Sequence, residues 1–308
     1  MNAEKREQLL LKLPFDLEAA VSAQEAWARR CRVPLRMTDS LGVESILVPP
    51  GEFRCGATKE VNQELERQGF SKIDEPSFDC ILTKPMYVGI HRITQNQYWK
   101  LMGINPSAYA ASGYLASHVE GLDTWQFPVE GVSWYDCIEA CNNMSEREGL
   151  PAYYRFGEFM LRESSGAIFD AEVEIIGGTG YRLLTSAEWE WVARAGTSTV
   201  YFYGNEERRP DWKVDIGRPW PVGVEAANNF GVYDLDMYSD EWVFDAYSYE
   251  DDVEGPLIDP VDLENDDNER VARGLHSFHR SMEIAGAAES RNFRFCRTIE
   301  VEAVRRDD

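Results

Sequence analysis

The sequence predicts a mixed α+β domain with little regular structure, preceded by an N-terminal helical arm. Three observations carry that expectation. Apolar residues recur at helical spacing near the start, short β-like runs broken by Pro and Gly begin at Val43, and from Tyr201 onward Gly, Pro, Asn, Asp and aromatic residues stay dense while periodic signals thin out. Dense turn residues without periodicity read as long ordered loops around a modest sheet.

Taken in order, residues 3 to 31 place Leu10, Leu13, Leu17, Ala20, Val21, Trp27 and Cys31 on one helical stripe, interrupted by polar Gln24, with Pro14 as a kink or helix start. This arm is assigned to residues 1 to 42, and the main domain to 43 to 308. The domain opens with strand-like runs at 44 to 48, closed by Pro49-Pro50-Gly51, at Phe53 to Cys55, closed by Gly56, and at Met86 to Ile90. Three helix starts follow, because a Ser or Thr hydroxyl accepts a bond from an otherwise unpaired backbone N–H of the first turn. Thr94 precedes Gln97, Thr185 precedes Glu188, and Ser133 precedes the run from Trp134 to Glu148. Gly103, Gly149 and Gly196 stand at the expected stops, where a left-handed residue is needed. Tyr153 to Phe156 and Glu172 to Ile175 read as a small β excursion. Residues 250 to 269 hold ten carboxylates and no basic side chain, read as a solvated loop with a cation site as the alternative.

Composition bounds the function. The 308 residues are 44% hydrophobic and carry a formal charge of -23, a field that repels phosphate backbones and anionic head groups, so neither nucleic acid nor a membrane is an expected partner. The apolar run at Leu9 to Leu11 is cut at once by Lys12 and Pro14, so no membrane segment or export signal is read. Six scattered cysteines in a chain of this length suit reduced thiols, and a cytoplasmic location is expected.

Six strings then occur in one order: Ile46 to Phe53 (ILVPPGEF), Thr94-Gln95-Asn96-Gln97-Tyr98, Pro128 to Trp134 (PVEGVSW), Gly180-Tyr181-Arg182-Leu183, Ala187-Glu188-Trp189-Glu190-Trp191 with Arg194-Ala195-Gly196, and Phe230-Gly231-Val232-Tyr233-Asp234. Over residues 43 to 297 the chain resembles the formylglycine-generating enzyme, or sulfatase-modifying factor, family. The resemblance implies a C-type-lectin-like α+β fold held by interlocking aromatic loops. Read on their own, Trp134, Trp189, Trp191, Trp242 and Tyr233 are expected in the core rather than in a ligand cage, and Arg182 with Glu188 as a structural pair.

The resemblance also implies chemistry that this sequence lacks. Active members convert a substrate cysteine to formylglycine using two cysteines, five residues apart, that bind copper(I) as soft thiolates. The corresponding segment here runs from Arg270 through Gly274 and Leu275 to Ile284, and no cysteine exists between Cys141 and Cys296. Depending on one inserted residue, the two positions fall on His279 and Ile284 or on Arg280 and Ala285. Copper is therefore not expected. Cys296 is read as a buried strand thiol, and Cys137 with Cys141 as a helix face lacking the further ligands of a zinc site. The family's calcium turn appears as Asp236 to Trp242, keeping Glu241 but placing Tyr238 at its Asn position; a rearranged calcium site at Glu241 with Asp215 is the remaining alternative.

In the implied fold, residues 274 to 291 line the ligand groove and present His276, Phe278, His279, Arg280, Met282 and Glu283, a mixture suited to a peptide or protein partner or a small ligand. The expected function is a catalytically inactive binding module. Two alternatives stand beside it: a metal-dependent oxidase with His276, His279 and Glu283 as iron ligands, and a regulatory scaffold docking through the arm.

Overall fold

The computed structural model describes residues 10–73, 77–161, 168–206, 218–235, 239–247, 255–263, 268–274, 280–288 and 290–301. In chain order the elements are β1 (Leu11–Lys12), α1 (Leu17–Cys31), β2 (Arg36–Thr38), β3 (Glu44–Val48), β4 (Gly51–Cys55), α2 (Lys59–Arg67), β5 (Phe78–Leu82), β6 (Met86–Gly89) and α3 (Gln95–Met102). A short 3-10 turn (Ala116–Val119) leads to α4 (Trp134–Arg147), β7 (Tyr154–Leu161), β8 (Ile168–Ile175), β9 (Tyr181–Arg182) and α5 (Ser186–Arg194). The chain closes with β10 (Glu241–Ala246), β11 (Leu257–Ile258), β12 (Glu269–Arg273), β13 (Arg280–Ile284) and β14 (Cys296–Thr298). Among the described residues no helix is long and apolar enough to cross a membrane.

The helix caps follow the hydroxyl chemistry. Thr94, Ser133 and Thr185 each accept the third-residue N–H and receive a side chain back from Gln97, Asp136 and Glu188, closing three capping boxes. Gly103 takes the left-handed conformation after α3, and Gly149 does so just beyond α4. At α5 the left-handed cap is Ala195, with Gly196 next; a Cβ on Gly196 would lie 2.1 Å from the Phe15 carbonyl oxygen, so close approach fixes that glycine. The sequence reading missed α2, whose apolar signal is only Val61 and Leu65 behind the Thr58 cap.

Among its described residues the arm is helical only beyond Pro14, the position read as a kink or helix start. α1 starts at Leu17, capped by Asp16, while Leu11–Lys12 run as a strand parallel to Gly51–Glu52 of β4; residues 1–9 lie outside the described residues. Gln24, which seemed to break the stripe, is buried with its amide donating to the Leu47 carbonyl at 2.8 Å and the Phe230 carbonyl at 3.1 Å. Trp27 and Ala28 pack against Leu47, Tyr87 and Ile299. The buried face of α1 is thus spent on its own sheet.

That sheet has the order β2-β3-β6-β14-β9. Alternation along β3 sends Leu47 under α1 and Ile46 with Val48 into the main core, which explains a run buried on both faces. A second sheet orders β1-β4-β5-β11, a third β10-β12-β13, and β7-β8 form a separate hairpin. The predicted excursion at Tyr153 to Ile175 is this hairpin, longer than its sequence signal. Trp134, Trp189, Trp191 and Trp242 are all buried as expected; the indole N–H groups of Trp134, Trp191 and Trp242 donate to the Val243, Pro49 and Val132 carbonyls at 2.9, 2.9 and 3.0 Å. Tyr233 is half-buried against the same core. Arg182 grips Glu188 through two hydrogen bonds of 2.6 and 2.8 Å, joining β9 to the start of α5.

Candidate active-site cleft

Pairing of β12 with β13 sets Arg273 directly opposite Arg280. Directly opposed residues share a face, so both guanidiniums reach one side of the three-stranded sheet, where they line a cleft of about 280 Å³. Its other walls are the N-terminus of α5 at Ser186 and Ala187, the end of β10 at Asp245, and an apolar rim of Phe78, Leu257, Ile258, Pro260 and Val261.

Beneath the cleft Glu190 is fully buried. Its carboxylate accepts from Arg194 at 2.9 Å, Arg273 at 2.7 Å, the Gly56 N–H at 2.8 Å and the Cys55 thiol at 3.2 Å. Burial opposes its charge, but Arg194 and Arg273 hold the carboxyl below the ordinary range. Burial, with the Glu190 charge beside it, pushes the Cys55 thiol well up. Asp245 has the opposite balance: burial pushes it up to about 7, against hydrogen bonds from the Ser186 and Asp262 N–H groups at 2.7 and 3.2 Å. The cleft is therefore lined by a carboxyl with a raised pKa and by the two guanidiniums of Arg273 and Arg280. Arg280 also lies over the Tyr247 ring, 5.3 Å from its centroid.

The segment read as one polar surface is divided by strand alternation. Arg280, Met282 and Ile284 share a face of β13, with Met282 46% and Ile284 60% exposed. Glu283 points to the other face, ion-paired with Arg291, while Ser281 donates to Asp240 at 2.7 Å. Met282 does not line the cleft, and of the six residues read as ligand-binding only Arg280 does so among the described residues. His276, Phe278, His279 and Asp215 lie outside the described residues. One oxygen of the Glu283 carboxylate is taken by the Arg291 guanidinium.

Glu241, the other residue read for calcium, is engaged by two arginines. It is fully buried, with Arg92 donating to one oxygen at 3.0 Å and Arg294 to both at 2.6 Å. A divalent cation there would meet two guanidinium charges, which already supply the compensation that a buried carboxylate requires. Among the described residues no three His, Cys, Asp or Glu side chains gather into a metal site. Cys137 and Cys141 are buried in α4, and Cys296 is a buried thiol of β14 that donates to the Met86 sulfur at 3.7 Å.

Sequence alone does not assign Asp245, Ser186, Glu190 or the 257 to 262 wall to this cleft. Glu190 and Arg194 carry the one local signal, an i,i+4 ion pair between two tryptophans and the helix end. Asp259 and Asp262, read as solvated, are anchored: Asp259 accepts the Thr83 N–H at 2.7 Å and the Asp262 carbonyl accepts the Ala246 N–H at 3.0 Å.

A family profile described as "Sulfatase-modifying factor enzyme 1-like domain" matches residues 34–301. The chain belongs to the sulfatase-modifying factor family. It is 37% identical over 247 residues to the formylglycine-generating enzyme of Mycobacterium tuberculosis, covering 65% of this chain and 72% of that protein. It is 30% identical over 190 residues to "Chaperone protein LppX" of Paenibacillus barcinonensis, covering 53% of this chain and 63% of that protein, so the match spans less than two thirds of this relative. The backbone is similar to Treponema denticola variable protein 1, with a TM-score of 0.64, 20% identity, and coverage of 86% of this chain and 99% of that one. The fold is the C-type-lectin-like α+β fold of sulfatase-modifying factors.

Proposed function

We propose that this chain is a non-catalytic binding member of the sulfatase-modifying factor family, and that its cleft receives a side chain of a partner peptide. The observation that carries this reading is the composition of the cleft. An apolar wall of Leu257, Ile258, Pro260 and Val261 faces Arg280, Arg273 and Asp245 across about 280 Å³. That is the lower end of small-ligand pockets and fits one large side chain. The apolar wall favours burial of that side chain, and the guanidiniums with Asp245 offer donors and an acceptor to the peptide backbone beside it.

The absence of any cysteine between Cys141 and Cys296 supports binding over copper chemistry, since the soft thiolate pair has no counterpart in the segment from 270 to 285. A relative named a chaperone protein supports a polypeptide partner.

Display selection of random peptides against the folded chain tests the reading. Peptides sharing an apolar anchor are expected, with capture lost on Arg280→Ala and on Ile258→Asp while thermal unfolding stays unchanged. Enriched peptides that bind both variants as well as the parent would overturn it.

A further inference from the structure

A second cleft, of about 320 Å³, lies away from the first set of lining residues, between α3 and the segment 122 to 125. Its walls include Trp99 and Trp125, whose rings stand 5.7 Å apart at 57° and are 47% and 43% exposed. Tryptophans half open to water and in mutual contact leave much apolar surface uncovered, which core packing does not explain. The two segments that carry the pair are tied together through the backbone. The Asn96 N–H donates to the Trp125 carbonyl at 3.1 Å, the Gln95 N–H to the Phe127 carbonyl at 2.9 Å, and the Trp125 N–H to Asp123 at 3.1 Å.

The remaining walls select the ligand. Among the described residues lining the cleft, Asp123 alone is charged, and it is exposed. Asn105, the amide on the wall, spends its NH₂ on Gln95 at 3.0 Å and its oxygen on the Ser107 N–H at 3.2 Å, so it offers little to a sugar hydroxyl. No cationic side chain among these lining residues awaits an anion. Two indole faces are the strongest aromatic platform for a cation, Asp123 adds a carboxylate, and the charge of -23 raises cation concentration at the surface. A metal ion or simple ammonium stays hydrated against such walls, whereas methyl groups on nitrogen spread the charge over a surface that indole, Ile104 and Leu122 can contact.

We infer that this cleft is a binding site for a quaternary ammonium group. It stands independently of the peptide cleft, since the two share no lining residue.

Calorimetric titration of the folded chain with choline, and with its neutral isostere in which carbon replaces the quaternary nitrogen, tests the assignment. Saturable choline binding is expected, about tenfold tighter than the isostere, weakened several-fold by Trp125→Ala and by Asp123→Asn, and unaffected by Arg280→Ala. Asp123 is exposed, so Asp123→Asn keeps the test valid should Trp125→Ala fail to fold. Equal affinity for the isostere, no saturable binding of choline, or unchanged affinity in Asp123→Asn together with any folded Trp125 variant would overturn it.

Discussion

Glu241 and Arg294 form a two-point ion pair in full burial, both contacts at 2.6 Å, and Arg92 closes the clamp from the other side. The carboxylate that the family resemblance offers to calcium is here shared by two arginines from distant parts of the chain, tying the loop before α3 to the approach of β14.

Removing that charge should be costly. Glu241→Gln leaves two guanidiniums facing one another without an anion, and a loss of about 3 to 5 kcal/mol is expected in urea unfolding. Because both Glu241 and Glu190 are held below 4.5 in the fold, their stabilisation is fully present above that value and disappears as pH falls through the depressed native values. Calcium, compared with magnesium at equal ionic strength, should leave the Tm unmoved, and EDTA likewise; a calcium-specific rise of several degrees would restore a site there.

Asp245 titrates in the opposite sense. Raised from 3.8 to about 7, it keeps its proton in the fold across a window where the unfolded chain has lost it, so its contribution to stability falls as pH rises through that window. Asp245→Asn cannot ionise. Its stability relative to the parent should improve between about pH 5 and pH 8, by an amount on the order of a few kcal/mol. A difference that stays flat across this range would mean that the carboxyl is already charged.

The arm is predicted to be structural. Trp27 is buried against Leu47, Tyr87 and Ile299, so Trp27→Ala should cost about 3 to 5 kcal/mol, and deletion of residues 1 to 35 should lower the cooperativity of unfolding of the remainder. A deletion variant that unfolds as sharply as the full chain, at the same temperature, would return the arm to the role of a separable docking element.

Gly51 shows a different constraint. A Cβ there would sit 2.1 Å from the Trp191 ring, so Gly51→Ala should destabilise by about 1 to 3 kcal/mol through displaced packing, measured by thermal unfolding.

What was legible in the sequence is local chemistry. Thr94, Ser133 and Thr185 announce their helices because a cap and its third-residue partner are read within four positions, and the buried tryptophans follow from size and context. What was not legible depends on chain crossings. Leu11–Lys12 become a strand only because Gly51–Glu52 lie alongside, and Gln24 belongs in the core only because two carbonyls, one of them more than two hundred residues away, meet its amide. The same holds for the cleft. Arg280 was named as a ligand residue from its segment, yet Met282 is carried clear of the cleft, Glu283 is turned to Arg291, and Asp245 enters from β10, none of which residue order discloses.

The most direct test of a binding rather than a catalytic role is conversion of a cysteine-bearing sulfatase-type peptide. Purified chain loaded with copper(I) under reducing conditions and then exposed to oxygen is expected to leave the peptide mass as in the protein-free control. Accumulation of the formylglycine aldehyde over many turnovers per chain would contradict the account.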